Sequence, residues 1–272
     1  MGGAIKTGGR SRAATGAPIP YYRSPINAGP RPVGLVPMAR PHRLEHAPMP
    51  LPHTRFEAAI VDLDGTMVDT VGDFEVALAR ALADLGWPPV SRAFIARTVG
   101  KGSEHLLSRT LAEVGAPAGL YAAAWARYQH HYLAINGQYS AVFPGVLEGL
   151  QALRARGLRL ACLTNKPNSF AHALLAMKGL DGFFDHAFGG DAFEYKKPHP
   201  LPLLKACEAL GSTPARTLMV GDSSNDAAAA RAAGCPVVLV SYGYNHGEPV
   251  ASASPDSIVG RIDELAALLD AA

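Results

Sequence analysis

Short apolar runs, each closed by a Gly, Asp or Asn nearby, alternate along this chain with segments of helical period. The first run, Phe56-Glu57-Ala58-Ala59-Ile60-Val61, reads as a buried strand and stops abruptly at Asp62-Leu63-Asp64-Gly65-Thr66. Leu158–Thr164, Phe184–Phe188, Thr217–Val220 and Val237–Val240 read as further strands. Helices are expected over about 168–178, 199–210 and 224–233, and a last one over 257–271. Between the first strand and the second, in the stretch 72–140, Phe74, Leu78, Leu82 and Leu85 recur at helical spacing, as do Leu107, Leu111 and Val114. Tyr121, Trp125, Tyr128 and Tyr132 form an aromatic stripe of the kind that packs one helix into a core.

Strand–helix alternation implies an α/β fold with a mainly parallel sheet and helices on both faces. The stretch 72–140 then interrupts it as an inserted all-helical subdomain. This divides the chain into an N-terminal extension at 1–52, a catalytic core at 53–71 and 141–272, and the helical insertion at 72–140. The extension is rich in Gly, Pro and Arg without periodicity and is expected to be disordered or loosely packed.

Composition narrows the class. Hydrophobic residues make up 48% and charged ones 18% of 272 residues, enough to bury a sizeable core. The net charge of +2 owes much to the extension, where Arg10, Arg12, Arg23, Arg31, Arg40 and Arg43 face a single acid, Glu45. The remaining chain is slightly acidic, which argues against a nucleic-acid footprint on it. No run reaches the roughly 18 apolar residues of a membrane span. Cys162, Cys207 and Cys235 are far apart, lack metal-ligand spacing, and fit a reducing cytoplasm. His105, His130, His131 and His199 likewise show no zinc spacing.

The chemistry is concentrated where strands end. In parallel α/β sheets ligands bind beyond the carboxyl ends of the strands, and Asp62, Thr164 and Asp222 all sit there. Carboxylates at the end of a buried strand are costly unless neutralised, and magnesium with a phosphorus electrophile would neutralise them. Asp62 then suits a nucleophile that forms an acyl-phosphate and also ligates the metal. Asp222 offers a second carboxylate to the same ion, and Asp64 its backbone carbonyl. The Asp64 carboxyl suits general acid–base work on the leaving oxygen and on the incoming water. Thr164 and Asn165 offer a hydroxyl and an amide to phosphoryl oxygens, and Lys197 a positive charge. Asp226 would orient Lys197 or a metal-bound water from behind.

Taken together, Asp62-Leu63-Asp64-Gly65-Thr66, Thr164-Asn165, Lys197-Pro198 and Gly221-Asp222-Ser223-Ser224-Asn225-Asp226 resemble the four motifs of the haloacid dehalogenase-like phosphatases. The resemblance covers about 56–271. It implies a Rossmann-like core, a helical cap placed just after the first strand, a magnesium cofactor and an aspartyl-phosphate intermediate. Aspartate at position 64 is similar to the phosphate-ester branches rather than the dehalogenases. Phe143-Pro144-Gly145-Val146, Thr164-Asn165-Lys166-Pro167, Gly189-Gly190-Asp191, Lys197-Pro198-His199-Pro200 and Tyr242-Gly243-Tyr244-Asn245 resemble bacterial phosphoglycolate phosphatases, as does the cap segment Val99-Gly100-Lys101-Gly102-Ser103-Glu104-His105-Leu106. The implied substrate is 2-phosphoglycolate, hydrolysed to glycolate and phosphate by a cytoplasmic monomer or homodimer. On this reading Lys101, in a loop between two glycines, meets the substrate carboxylate. The alternatives left open are a phosphatase for another small sugar phosphate, a phosphosugar mutase using the same residues, and a catalytically silent binding module.

Overall fold

The computed structural model describes residues 56–271. The extension expected at 1–52 and the first core residues, 53–55, lie outside them. In chain order β1 (Ala58–Val61) leads to β2 (Val68–Asp69), then to four helices, α1 (Val71–Asp84), α2 (Arg92–Thr98), α3 (Ser103–Glu113) and α4 (Tyr121–Ile135). The chain returns through β3 (Ala141–Val142) and α5 (Val146–Ala155), then β4 (Arg159–Leu163), α6 (Asn168–Met177) and β5 (His186–Phe188). It closes with α7 (Leu201–Ala209), β6 (Thr217–Gly221), α8 (Ser224–Ala233), β7 (Val237–Val240), β8 (Ser257–Val259) and α9 (Leu265–Asp270). No described helix is long and apolar enough to cross a membrane.

Six strands form one parallel sheet in the order β5-β4-β1-β6-β7-β8. Both faces are covered, so the central strands are mostly apolar, with side chains that alternate between two cores. Ala59 and Val61 join Cys162 and Val220 on one face, under Leu150 and Leu153 of α5 and Leu174 of α6. Ala58 and Ile60 join Ala161 and Met219 on the other, under Leu203 of α7 and Ala229 and Ala230 of α8. The small alanines of α8 let that helix approach the sheet closely. Ser223 and Asp226 start it with a reciprocal capping box, and Gly234 ends it in the left-handed conformation.

One expected element is wrong. Residues 257–271 are not a single helix: β8 occupies Ser257–Val259, and α9 begins only at Leu265. Ile258 and Val259 are β-branched, and β7 offers an open edge that takes their backbone in parallel register, Val240 opposite Val259. The antiparallel pair of β2 and β3, with Val68 opposite Val142, also has no sequence signature, because two residues cannot display a period. It marks where the chain leaves the sheet layer and where it re-enters.

Helices α1 to α4 gather round a third apolar cluster. Phe74 of α1 stacks on Tyr132 of α4 with ring centres 5.4 Å apart. Tyr128 and Tyr132 are fully buried, whereas Tyr121 and Trp125 are partly exposed, so the stripe dips into the core at its C-terminal half. Phe170 of α6 enters the same cluster, its ring 4.7 Å from that of Tyr132. Each such fully buried large side chain contributes roughly 1.5–3 kcal/mol of transfer free energy. That contact seats the helical layer on the sheet layer at the carboxyl ends of the strands.

Candidate active site

Because β1 lies between β4 and β6, the residues that follow those three strands share one crevice. Asp62 follows β1, Thr164 follows β4 and Asp222 follows β6. Carboxylate oxygens of Asp62, Asp222 and Asp226 lie within 4.8 Å of one another, close enough to hold one metal ion. All three residues are buried. Burial pushes the Asp62 carboxyl up to about 7, against the opposing pull of Lys197. Asp222 is held well above the usual carboxylate range by burial, then by the Asp226 and Asp62 charges. Lys197 Nζ stands 2.9 Å from Asp62 Oδ1, yet no hydrogen bond of good geometry reaches that buried oxygen. The pocket gathers three carboxylates around one ammonium, an imbalance that a hard divalent cation could offset.

The three carboxylates are not equivalent. Asp226 is fully engaged: Oδ1 accepts from Lys197 Nζ at 2.7 Å, and Oδ2 accepts from the Ser223 amide at 3.1 Å and hydroxyl at 2.7 Å. Asp222 Oδ2 accepts from the Tyr244 amide at 2.7 Å, while its Oδ1 faces only the Thr66 hydroxyl, at 3.5 Å. Two glycines shape the space around Asp222. A side chain on Gly65, which has φ +83°, or on Gly243 would overlap the Asp222 carboxylate. The Asp64 carboxylate is not part of this triad.

Lys197 is buried and has three oxygen neighbours, the Leu163 carbonyl at 2.8 Å, Asp226 at 2.7 Å and Asp62 at 2.9 Å. Burial alone would lower its pKa, but Asp226 and Asp62 outweigh that and hold the ammonium above its ordinary range. The Lys197–Pro198 peptide is cis. Asn165 locks the segment: its Oδ1 accepts from the Lys197 amide at 2.9 Å, and its Nδ2 donates to the Lys197 carbonyl at 2.8 Å and to the Gly100 carbonyl at 2.9 Å. The Asn165 amide is thus committed to backbone. The Thr164 hydroxyl accepts from the Lys166 amide at 3.2 Å and keeps its own proton to donate.

Above this floor lies a cavity walled by Asp62, Asp64, Thr164 and Lys166 from the sheet layer, and by Phe74, Gly100, Gly102 and Ser103 from the helical one. Its void is about 20 Å³, room for roughly one water. Lys101 is exposed and does not line it, so the structure does not bring that lysine to the crevice. Lys166 does line it. Its Nζ donates to Asp64 Oδ1 at 2.9 Å and Oδ2 at 3.2 Å, and lies over the rings of Phe74, at 4.5 Å, and Tyr132, at 4.8 Å. Sequence reasoning missed Lys166 because a lysine after Thr-Asn looks solvent-facing until two aromatic rings of the insertion are known to cover it.

Tyr244 was missed as well. Its hydroxyl donates to Asp69 Oδ1 at 2.7 Å and accepts from the Thr70 amide at 2.8 Å, while its own amide holds Asp222. One residue thus joins the exit to the helical layer with the carboxylate triad. The only sequence signal was its place in Tyr242-Gly243-Tyr244-Asn245.

Comparison with known proteins agrees with this geometry. The sequence model of the haloacid dehalogenase-like hydrolases matches residues 56–234. The chain is 43% identical to the phosphoglycolate phosphatase of Thiobacillus denitrificans, over 81% of this chain and 97% of that protein. It is 44% identical to the plasmid-borne phosphoglycolate phosphatase of Cupriavidus necator, over 78% of this chain and 92% of that protein. A crystal structure from Haemophilus somnus, described as a predicted phosphoglycolate phosphatase, superposes with a TM-score of 0.74 at 32% identity, covering 78% of this chain and 97% of that one.

Proposed function

Since the chain belongs to the haloacid dehalogenase-like hydrolase family and is a phosphoric monoester hydrolase, we propose that it converts 2-phosphoglycolate to glycolate and phosphate, with magnesium and an aspartyl-phosphate on Asp62. The observation that carries the chemistry is the Asp62 carboxylate: buried, one oxygen without a hydrogen bond, beside Lys197 and Asp222. The substrate rests on the names of relatives above 40% identity.

Asp62 and Asp222 would hold the metal, with the Asp64 backbone carbonyl, and Asp226 would act from behind through Lys197. The bound cation would supply positive charge to the phosphoryl oxygens. Asp62 attacks phosphorus while the Asp64 carboxyl gives its proton to the departing glycolate oxygen. Asp64, now charged, takes a proton from the water that cleaves the acyl-phosphate. The Thr164 hydroxyl donates to a phosphoryl oxygen, and the Lys197 ammonium offsets charge that builds there. The Asn165 side-chain amide grips the Lys197 backbone and so positions that ammonium. The helical layer, 72–140, serves as a cap that opens to admit substrate and then excludes water. Three free buried thiols, Cys162, Cys207 and Cys235, support a reducing cytoplasmic setting.

Phosphate release from a panel of small esters tests the reading, with magnesium and with a chelator. Turnover of 2-phosphoglycolate well above glucose 1-phosphate and glucose 6-phosphate, lost on chelation, is expected. Formation of glucose 6-phosphate from glucose 1-phosphate without released phosphate would replace it with the mutase.

A further inference from the structure

Lys166 is an unusual lysine. Its side chain is 1% exposed, although a buried ammonium is costly unless it is paired. The structure compensates it with the Asp64 carboxylate and with the faces of Phe74 and Tyr132. An ammonium has three N–H donors, and two of them are committed to Asp64. The third has no oxygen acceptor among the described residues. Lys166 is also the one cation among the described residues lining the cavity.

Resting on the proposed hydrolysis, we infer that Lys166 is the residue that reads the carboxylate of the substrate, the part that remains in glycolate. The geometry follows from the chemistry assigned to Asp62 and Asp64. Asp62 attacks phosphorus from one side, so the ester oxygen leaves on the other, toward the carboxyl that protonates it. The leaving group must therefore extend past Asp64. A carboxylate two carbons beyond the ester oxygen then falls at the group bonded to Asp64, the Lys166 ammonium. The ammonium keeps its hydrogen bond to the Asp64 oxygen that does not carry the transferred proton, and its remaining donors face the substrate carboxylate. Lys197 cannot serve, because it lies below the phosphoryl position with Asp62, Asp226 and the Leu163 carbonyl around it. Gly102 and Ser103, at the start of α3, wall the same cavity, and a helix start adds no negative charge there.

Specificity for an anionic leaving group thus comes from a lysine of the core, placed by rings of the cap. Phe74 and Tyr132 belong to α1 and α4, so Lys166 is covered only when the cap is seated. Burial strengthens its pairing with a carboxylate and excludes the water that would otherwise compete.

The test compares 2-phosphoglycolate with 2-hydroxyethyl phosphate, which has the same length but no carboxylate. The readout is the ratio of their kcat/KM values, in which any general damage to Asp64 cancels. Lys166→Met is expected to lower that ratio by about ten- to a hundred-fold, chiefly through the KM for 2-phosphoglycolate, and Lys166→Arg to retain most of it. A wild-type preference that Lys166→Met leaves within about two-fold overturns this inference alone. A wild-type protein that prefers neither ester overturns both this inference and the proposed substrate. Should Lys166→Met unfold with Asp64 unpaired, Asp64→Asn is compared with Asp64→Asn/Lys166→Met by calorimetric binding of the two esters. Weakened binding of 2-phosphoglycolate only is then the expected result, and equal losses for both esters overturn the inference.

Discussion

Asn165, in the loop after β4, donates its side-chain amide to the carbonyl of Gly100, 65 residues earlier in the helical layer, at 2.9 Å. Asn225, at the start of α8, donates to the same carbonyl at 3.1 Å. Two core residues, one in the loop after β4 and one in the first turn of α8, thus hold one cap carbonyl over the crevice. Asn165 also fixes the Lys197 backbone, whereas Asn225 does not contact it.

That difference separates cap closure from charge placement. Asn225→Ala is expected to raise KM with little change in kcat, by about five-fold for one hydrogen bond of ~1 kcal/mol. Asn165→Ala removes both functions and is expected to lower kcat as well. Steady-state kinetics on 2-phosphoglycolate checks the split. Equal kcat losses in the two variants would contradict it.

Asp62→Asn is expected to abolish turnover while preserving the fold. Lys197 keeps Asp226 and the Leu163 carbonyl as partners, and a neutral amide escapes the burial cost that lifts the Asp62 pKa to about 7. Thermal melts of the metal-free protein should show a Tm equal to or above that of the wild type. On the proposed magnesium site, added magnesium should raise the Tm of the wild type more than that of Asp62→Asn. A variant that melts much lower without metal would mean that the Asp62–Lys197 pair stabilises the fold.

His246 makes the closed arrangement sensitive to acid. Its Nε2 lies 3.2 Å from Asn225 Nδ2, which it faces as an acceptor. Burial first, then the Lys101 charge, lowers its pKa from the ordinary 6.5, against the nearby Asp226. With the folded value below the unfolded one, its contribution to stability is complete above pH 6.5 and is lost as pH falls toward the folded value. Protonation would also set two donors face to face. Urea midpoints at about pH 7.5 and 5.5 should fall further in the wild type than in His246→Gln. Parallel falls would assign the acid sensitivity elsewhere.

Leu78 tests the coupling of cap packing to the crevice. It is fully buried on α1, the helix that carries Phe74. Leu78→Ala is expected to cost roughly 2–5 kcal/mol in urea unfolding. It should also lower kcat/KM for 2-phosphoglycolate more than for 2-hydroxyethyl phosphate, since α1 helps to cover Lys166. A stability loss with no change in that ratio would uncouple the two.

Much was legible because it is local. Both faces of the sheet are buried, so Ala58–Val61, residues 218–221 and Val237–Val240 are apolar runs, and their ends are sharp where a polar residue follows. The 224–233 helix carries its own start and stop in Ser223, Asp226 and Gly234. Strands too short for a period, β2 and β3, were silent. The run at Ser257–Val259 is a strand because β7 has an edge to offer, which no local pattern records.

For the crevice the division is the same. The sequence by itself determined which residue types stand at the strand ends, because a carboxylate can follow a buried run only where the run emerges: Asp62 and Asp222, with Thr164 between them in chain order. Only the tertiary structure decided which of them meet. Placing β1 between β4 and β6 brings those ends together, and seating Phe74 and Tyr132 over the crevice turns Lys166 inward while leaving Lys101 in solvent. Charge and polarity are properties of a residue, whereas burial and pairing belong to the neighbours that the fold supplies, and those neighbours are distant in the chain.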